Sequence, residues 1–221
     1  MILWSKLIDI VHQVLDEVTE QHDDFSSSLD DSLHTFAQVA APMLLMQVPA
    51  AFQMVKCLEV KETDRGHFFK RPDGLTAIRQ ELPDDFCRFI ALNASGWMMP
   101  VNVLFADSHP SFRNQYSHIV GIGAGVSSPV AFLSTDIDAG GTLRSLIIAH
   151  ALPAPADYVF SYAAVPETNT EGLVMDSRLI HALAYYTAGL YLQSVGDVNA
   201  SKMANDTALE LIQNINNTVA I

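Results

Sequence analysis

The hydrophobic period changes twice along this chain, and that change limits what it can fold into. Over residues 2–20, Leu3, Leu7, Val11, Val14 and Val18 recur at spacings of three and four, with Trp4, Ile8 and Leu15 widening the stripe. That is one face of an amphipathic helix. Gln21-His22-Asp23-Asp24-Phe25-Ser26-Ser27-Ser28 is a polar break. A second helix follows, with Asp30 or Asp31 as its cap and Leu33, Phe36, Ala37, Ala40 and Leu44 as its buried face. Pro42 is expected to kink or divide this helix, and Pro49 to end it.

From about 51 to 166 helical spacing disappears. Short apolar runs alternate with turn signals such as Arg71-Pro72-Asp73-Gly74, Leu82-Pro83-Asp84-Asp85, Asn93-Ala94-Ser95-Gly96 and Ala139-Gly140-Gly141. Strands are expected at Phe52–Val60, Phe86–Leu92, Val101–Phe105, Ser117–Ile122, Val130–Leu133, Leu143–Ala149 and Tyr158–Ala164. After Pro166 the helical period returns. A helix from about 176 to 193 is capped by Asp176 or Ser177. It carries Leu179, Leu183, Tyr186, Leu190 and Leu192 beside the small Ala182, Ala184, Ala188 and Gly189. Ser194-Val195-Gly196-Asp197 is a turn with Gly196 at the left-handed position, and a last helix from about 198 to 216 carries Met203, Ala204, Thr207, Ala208, Leu211 and Ile215. The fold class is therefore α+β. Helices of residues 1–50 and a hairpin of 167–221 close one bundle, and residues 51–166 form a small inserted antiparallel β domain.

Composition supports a packed core: 221 residues, 49% hydrophobic and 17% charged. Lys and Arg number 12 against 25 Asp and Glu, a net charge of −13. Such a chain disfavours tight nucleic-acid binding, which needs clustered cations, but lets nucleic acid pass without sticking. The first residues lack the basic region and cleavage site of a signal peptide, and no apolar run approaches the roughly 20 residues of a membrane span. No membrane association is expected.

The motifs that could carry chemistry fail on spacing. Gly121-Ile122-Gly123-Ala124-Gly125 has its third glycine one position early for a dinucleotide loop and leads into a strand, not a helix. A glycine-rich hairpin is the expected reading. Ser108-His109-Pro110-Ser111 is a turn, and no GxSxG occurs. His12, His22, His34, His67, His109, His118, His150 and His181 form no HxH, HExxH or HxxxH, and His181 is expected to be packed or interfacial. Asp84-Asp85 and Asp30-Asp31 suit turns and caps better than acid–base work or Ca²⁺. Cys57 and Cys87 lack metal-ligand partners; two free buried thiols are expected, with a disulfide as the alternative. Catalytic, cofactor-binding and metal-ligating residues are thus expected to be none, and the chain is not expected to be an enzyme. Trp97-Met98-Met99-Pro100 and Phe68-Phe69 read as core filling or as a partner-contact patch.

The order of these pieces resembles the head-to-tail adaptor (connector, head-completion or ring) proteins of short-tailed bacteriophages, crAss-like phages being one candidate source. The elements that carry the resemblance are Leu82-Pro83-Asp84-Asp85-Phe86 leading into a strand, Gly125-Val126-Ser127-Ser128-Pro129-Val130-Ala131-Phe132, Pro153-Ala154-Pro155-Ala156-Asp157-Tyr158, and the closing hairpin. In the hairpin, Leu179-Ile180-His181-Ala182-Leu183-Ala184-Tyr185-Tyr186 runs through Gly196-Asp197 to Ala204-Asn205-Asp206-Thr207-Ala208. The resemblance implies a virion structural protein without catalytic residues or cofactors, assembled in the bacterial host cytoplasm. It implies docking beneath the portal as a homo-oligomeric, dodecameric ring. The ring would extend the channel for genomic DNA, without specific DNA binding, and offer a surface to tail proteins. The alternatives are another phage structural subunit (tail, fibre or capsid-associated) or a small-ligand-binding protein.

Overall fold

The computed structural model describes residues 1–19, 27–70, 74–106, 108–110, 112, 125–137, 143–152 and 154–219. The chain is α+β and divides into two compact units, Met1–Met54 with Ala164–Ile221, and Val55–Ala163. The division falls a few residues inside the limits expected at 50/51 and 166/167.

In the first unit, β1 (Ile2–Leu3) pairs antiparallel with β10 (Gly172–Leu173). Helix α1 (Trp4–Val18) starts directly from β1 with no side-chain cap. Its first free backbone donor, Trp4 N–H, is satisfied by the Glu171 carbonyl at 2.9 Å. The Asn169 side chain fixes that carbonyl's strand by accepting from the amides of Glu171 (2.9 Å) and Gly172 (2.8 Å). Leu7, Ile8, Val11, Val14 and Leu15 are the buried face of α1, as their spacing predicts. Each fully buried aliphatic side chain of this kind contributes about 1.5–3 kcal/mol.

Helix α2 (Ser27–Leu45) corrects two expectations. Asp30 lies inside its first turn rather than at the cap, and it accepts a 2.8 Å hydrogen bond from His12 Nε2 instead. Pro42 does not divide the helix, which runs on to Leu45; Pro49 precedes a short 3-10 turn, Ala50–Phe52, where a strand was expected to begin. Leu33, Ala37, Ala40, Ala41 and Leu44 are fully buried.

Helix α3 (Ile180–Ser194) follows a 3-10 turn capped by Asp176, whose carboxylate accepts from the Arg178 amide. Ile180, Ala182, Leu183, Ala184, Tyr186, Thr187, Ala188, Gly189 and Leu192 are all buried, because α3 packs against α1, α2 and helix α4 (Val198–Val219) at once. A helix apolar almost all round is what a central position requires. Gly196, at φ +87°, makes the reversal into α4. The α4 face toward the core is small: Ala200, Ser201, Ala204, Ala208 and Ile212. Met203, carried by the same helix, is exposed, since the roughly 100° step per residue turns it away from Ala204 and Ala208. The hairpin therefore closes this chain's own bundle.

The second unit holds two sheets. In one, β9 (Tyr158–Ala164) lies between β2 (Val55–Val60) and β5 (Phe86–Ala94). The other has the order β3-β4-β8-β7-β6, with β3 Phe68–Lys70, β4 Thr76–Glu81, β6 Leu104–Ala106, β7 Val130–Ile137 and β8 Leu143–Leu152. β3, β4, β7 and β8 pair antiparallel, but β6 runs parallel to β7, with Leu104 opposite Ala131, where an all-antiparallel domain was expected. β3 and β4 were not expected from the sequence, and the strand placed at Val101–Phe105 begins only at Leu104, Val101 forming a lone bridge to Leu92. The strand expected at Ser117–Ile122 lies outside the described residues, as do the turns at Arg71–Asp73 and Ala139–Gly141.

Tyr158 joins the two sheets. It is fully buried, packs edge-on against Phe68 (5.8 Å between ring centres), and donates its hydroxyl hydrogen to Gln80 Oε1 at 2.8 Å. His67 Nδ1 lies 3.1 Å from the same hydroxyl. Since that oxygen donates to Gln80, the His67 nitrogen must donate to it, which places the proton on Nδ1. Phe86, Phe160 and Tyr162 stack on one another, with 5.3–6.3 Å between ring centres, along the three-stranded sheet.

Candidate interaction surfaces

Met98, the most exposed large apolar side chain among the described residues, sits on a hydrogen-bonded hairpin of the second unit. Leu92 and Val101 exchange two 2.8 Å backbone hydrogen bonds and close its base. Gly96, at φ +91°, turns the chain, and Trp97 N–H donates to the Ala94 carbonyl at 3.0 Å. The Trp97 ring is packed beneath the turn, whereas Met98 is 77% exposed and Met99 57%. Met98 N–H donates to the Val126 carbonyl at 2.9 Å, which brings a second loop alongside; Val126 and Val103 are also exposed. A fixed backbone thus presents two flexible thioethers among further apolar side chains. Such a surface has the chemistry to accept an apolar partner of imperfect shape. The sequence offered Trp97–Pro100 as core or as contact patch; the structure buries Trp97 and leaves Met98 and Met99 exposed.

Polar side chains in the second unit are mostly matched. Lys56 Nζ donates to Asp85 Oδ2 at 2.8 Å, and the buried Tyr162 hydroxyl donates to Asp85 Oδ1 at 2.9 Å. The Lys56 ammonium, aided by the Tyr162 hydrogen bond, holds the Asp85 carboxyl below the usual carboxylate range. Burial and then the Asp85 charge push the Tyr162 phenol upward. Burial, then the Asp64 charge, raises Tyr158 far more. Lys61 pairs with Asp157 at 3.1 Å, and Arg79 with Asp136 at 2.7 Å. Asp157 also accepts from the Glu62 amide at 2.8 Å, and that bond, ahead of the one from Lys61, holds its carboxyl below the usual carboxylate range.

The other candidates scatter. Gly125 and Ser128 close a tight turn ahead of β7 with backbone bonds of 2.9 and 3.3 Å, while Gly121–Ala124 lie outside the described residues. His109 is exposed and stacks on Phe105 at 4.6 Å; Ser111 lies outside the described residues. His34 packs on the Trp4 ring at 4.7 Å, and His12 serves Asp30. His181 is exposed rather than packed. His150 lies in β8 opposite Ala77 and Val130, and His22 and His118 lie outside the described residues. Among the described residues no group of three or more His, Cys, Asp or Glu side chains is placed to hold a metal ion. Cys57 and Cys87 are both free, but neither is buried: Cys57 is exposed and Cys87 half-buried. They lie on β2 and β5 with β9 between, and two strand spacings of about 4.8 Å exceed the reach of a disulfide. Burial raises the Cys87 thiol, which makes it a poorer nucleophile.

No family model matches the chain, and no curated protein matches it. Among the described residues no helix is long and apolar enough to cross a membrane.

Proposed function

We propose that this chain is a virion structural subunit, a head-to-tail connector that docks on a portal and assembles as a ring extending the DNA channel toward the tail. The observation that carries the reading is the Met98–Met99 hairpin. Exposed methionines on a hydrogen-bonded base suit a contact that is buried only on assembly, each contributing about 1.5–3 kcal/mol when fully covered. The net charge of −13 supports the same reading, since cation-poor walls give a passing phosphate backbone little to hold. The buried face of the α3–α4 hairpin is occupied within its own bundle, and its exposed Val195, Val198 and Met203 are a second apolar surface on which neighbouring subunits could pack.

The test is to mix the purified protein with portal rings of its own particle and record mass and negative-stain images. A ring stacked on the portal, lost in Met98→Ser/Met99→Ser, is the expected result. Failure to associate with any portal ring, or association with tail or fibre components instead, overturns it.

A further inference from the structure

The second unit has an open cleft of about 730 Å³ beside β3, lined among others by Glu62, Thr63, Arg65, Phe68, Phe69 and Lys70. Its charges are unusual for this chain. Lys56, Lys61 and Arg79 of the same unit are each matched to an aspartate. Arg65 and Lys70 are exposed and have no ion-pair partner among the described residues, although acids outnumber bases 25 to 12 in the sequence. Glu62 is the opposing charge at the cleft, and its backbone amide is committed to Asp157. Among the described lining residues, two cations stand against one carboxylate, which makes that wall positive on a strongly negative molecule.

Its apolar floor is equally specific. Phe68 is held edge-on against the buried Tyr158, and Phe69 stays 37% exposed on the neighbouring position. β3 stands at the edge of its sheet, with β4 as its pairing partner. An extended segment lying along that edge can continue the sheet while its side chains alternate between cations and rings.

We propose that this cleft docks an extended acidic peptide segment of a partner protein, with carboxylates on Arg65 and Lys70 and an apolar side chain on Phe69. A guanidinium with no ion-pair partner among the described residues can take a carboxylate in two parallel hydrogen bonds. Nucleic acid is disfavoured as occupant, because a net charge of −13 repels a polyanion while two cations neutralise only a short acidic stretch. The proposal does not rest on the connector reading.

The test uses the intact protein alone and a fluorescein-labelled peptide of about ten alternating Asp and Val residues, long enough to lie along a sheet edge. Saturable anisotropy is expected. Affinity should fall at least tenfold when Asn replaces Asp in the peptide, and at least tenfold in Arg65→Glu/Lys70→Glu, while Lys202→Glu on α4 leaves it unchanged. A thermal melt checks that the charge-reversed protein is folded, and Arg65→Gln/Lys70→Gln replaces it if it is not. No saturation, equal binding of the Asn peptide, or equal binding by a folded charge variant overturns the proposal. So does displacement of the peptide by an oligo-dT strand at lower concentration than by unlabelled peptide, which would assign the cleft to nucleic acid. No portal is present, so the outcome is separate from that of the ring assay.

Discussion

Gly189 of α3 and Asn205 of α4 share one contact: a methyl group at 189 would collide with the Asn205 side-chain amide. The same glycine's carbonyl accepts a 2.9 Å hydrogen bond from Ser201 Oγ, so the two helix backbones approach closely here. Two terms compete in Gly189→Ala. Overpacking costs about 2 kcal/mol, and alanine's better helix propensity returns about 1 kcal/mol. Denaturant unfolding should show a net loss of about 1 kcal/mol. In an Asn205→Ala background the collision is gone, and the same substitution should instead stabilise by about 1 kcal/mol, a change of sign that a double-mutant cycle reads directly.

The Lys56–Asp85–Tyr162 cluster predicts an acid limb. The folded-state carboxyls of Asp85, Asp157 and Asp176 are depressed, each chiefly by a hydrogen bond to its charged form. Their contribution is present above the unfolded value of about 3.9 and is lost as pH falls through the lower folded values. Melting temperature should therefore hold near neutrality and drop below about pH 4. Asp85→Asn should flatten part of that drop. The Lys56–Asp85 pair is more than a third exposed, so its screened worth near neutrality is about 0.5 kcal/mol.

At the other end of the scale, Tyr158 and Tyr162 have phenols raised chiefly by burial. Their neutral state costs nothing below the unfolded value, and stability falls only as the unfolded chain ionises above about pH 10. Tyr158→Phe should lessen this alkaline loss. At neutral pH it should cost about 1–3 kcal/mol, because Gln80 is buried and loses its donor.

Met98→Ser/Met99→Ser should leave the thermal melt within about 0.5 kcal/mol of the parent, since both side chains stand in solvent. Trp97→Ser should instead destabilise by about 3 kcal/mol or more, because its ring lies under the turn. The pair of measurements separates the part of the hairpin that holds the fold from the part that faces outward.

Pro42 lies in the interior of α2, where it removes one backbone hydrogen bond and crowds the carbonyl a turn earlier. Pro42→Ala should raise stability by about 1–3 kcal/mol, read by chemical denaturation. A loss instead would mean that the proline's ring is needed by its packing neighbours.

The helical unit was legible in the sequence because its signals are local. Leu7, Val11 and Val14 repeat at helical spacing, and Gly196 marks the reversal between α3 and α4. What failed was long-range or compositional. Asp30 looked like a cap because nothing nearby reveals that His12 would claim it. β4 reads Thr-Ala-Ile-Arg-Gln-Glu, and the burial of Thr76 and Gln80 hides its alternation. Phe68 and Phe69 read as core filling or as a contact patch but not as a strand, since three residues give no period. The Asp85 partnership joins three separate strands or turns, and the lack of an ion-pair partner for Arg65 and Lys70 among the described residues follows only from where the described aspartates are spent.

The division of the chain has a consequence for how it is made. The first unit takes α1 and α2 from before the β unit and α3 and α4 from after it. On a ribosome, Leu7, Val11, Leu33 and Leu44 emerge more than a hundred residues before Leu183 and Leu192 arrive to cover them. The β unit, uninterrupted in sequence, can finish first. During that interval the exposed first helix pair is the species a chaperone would meet, and slowing elongation after residue 163 should lengthen its life.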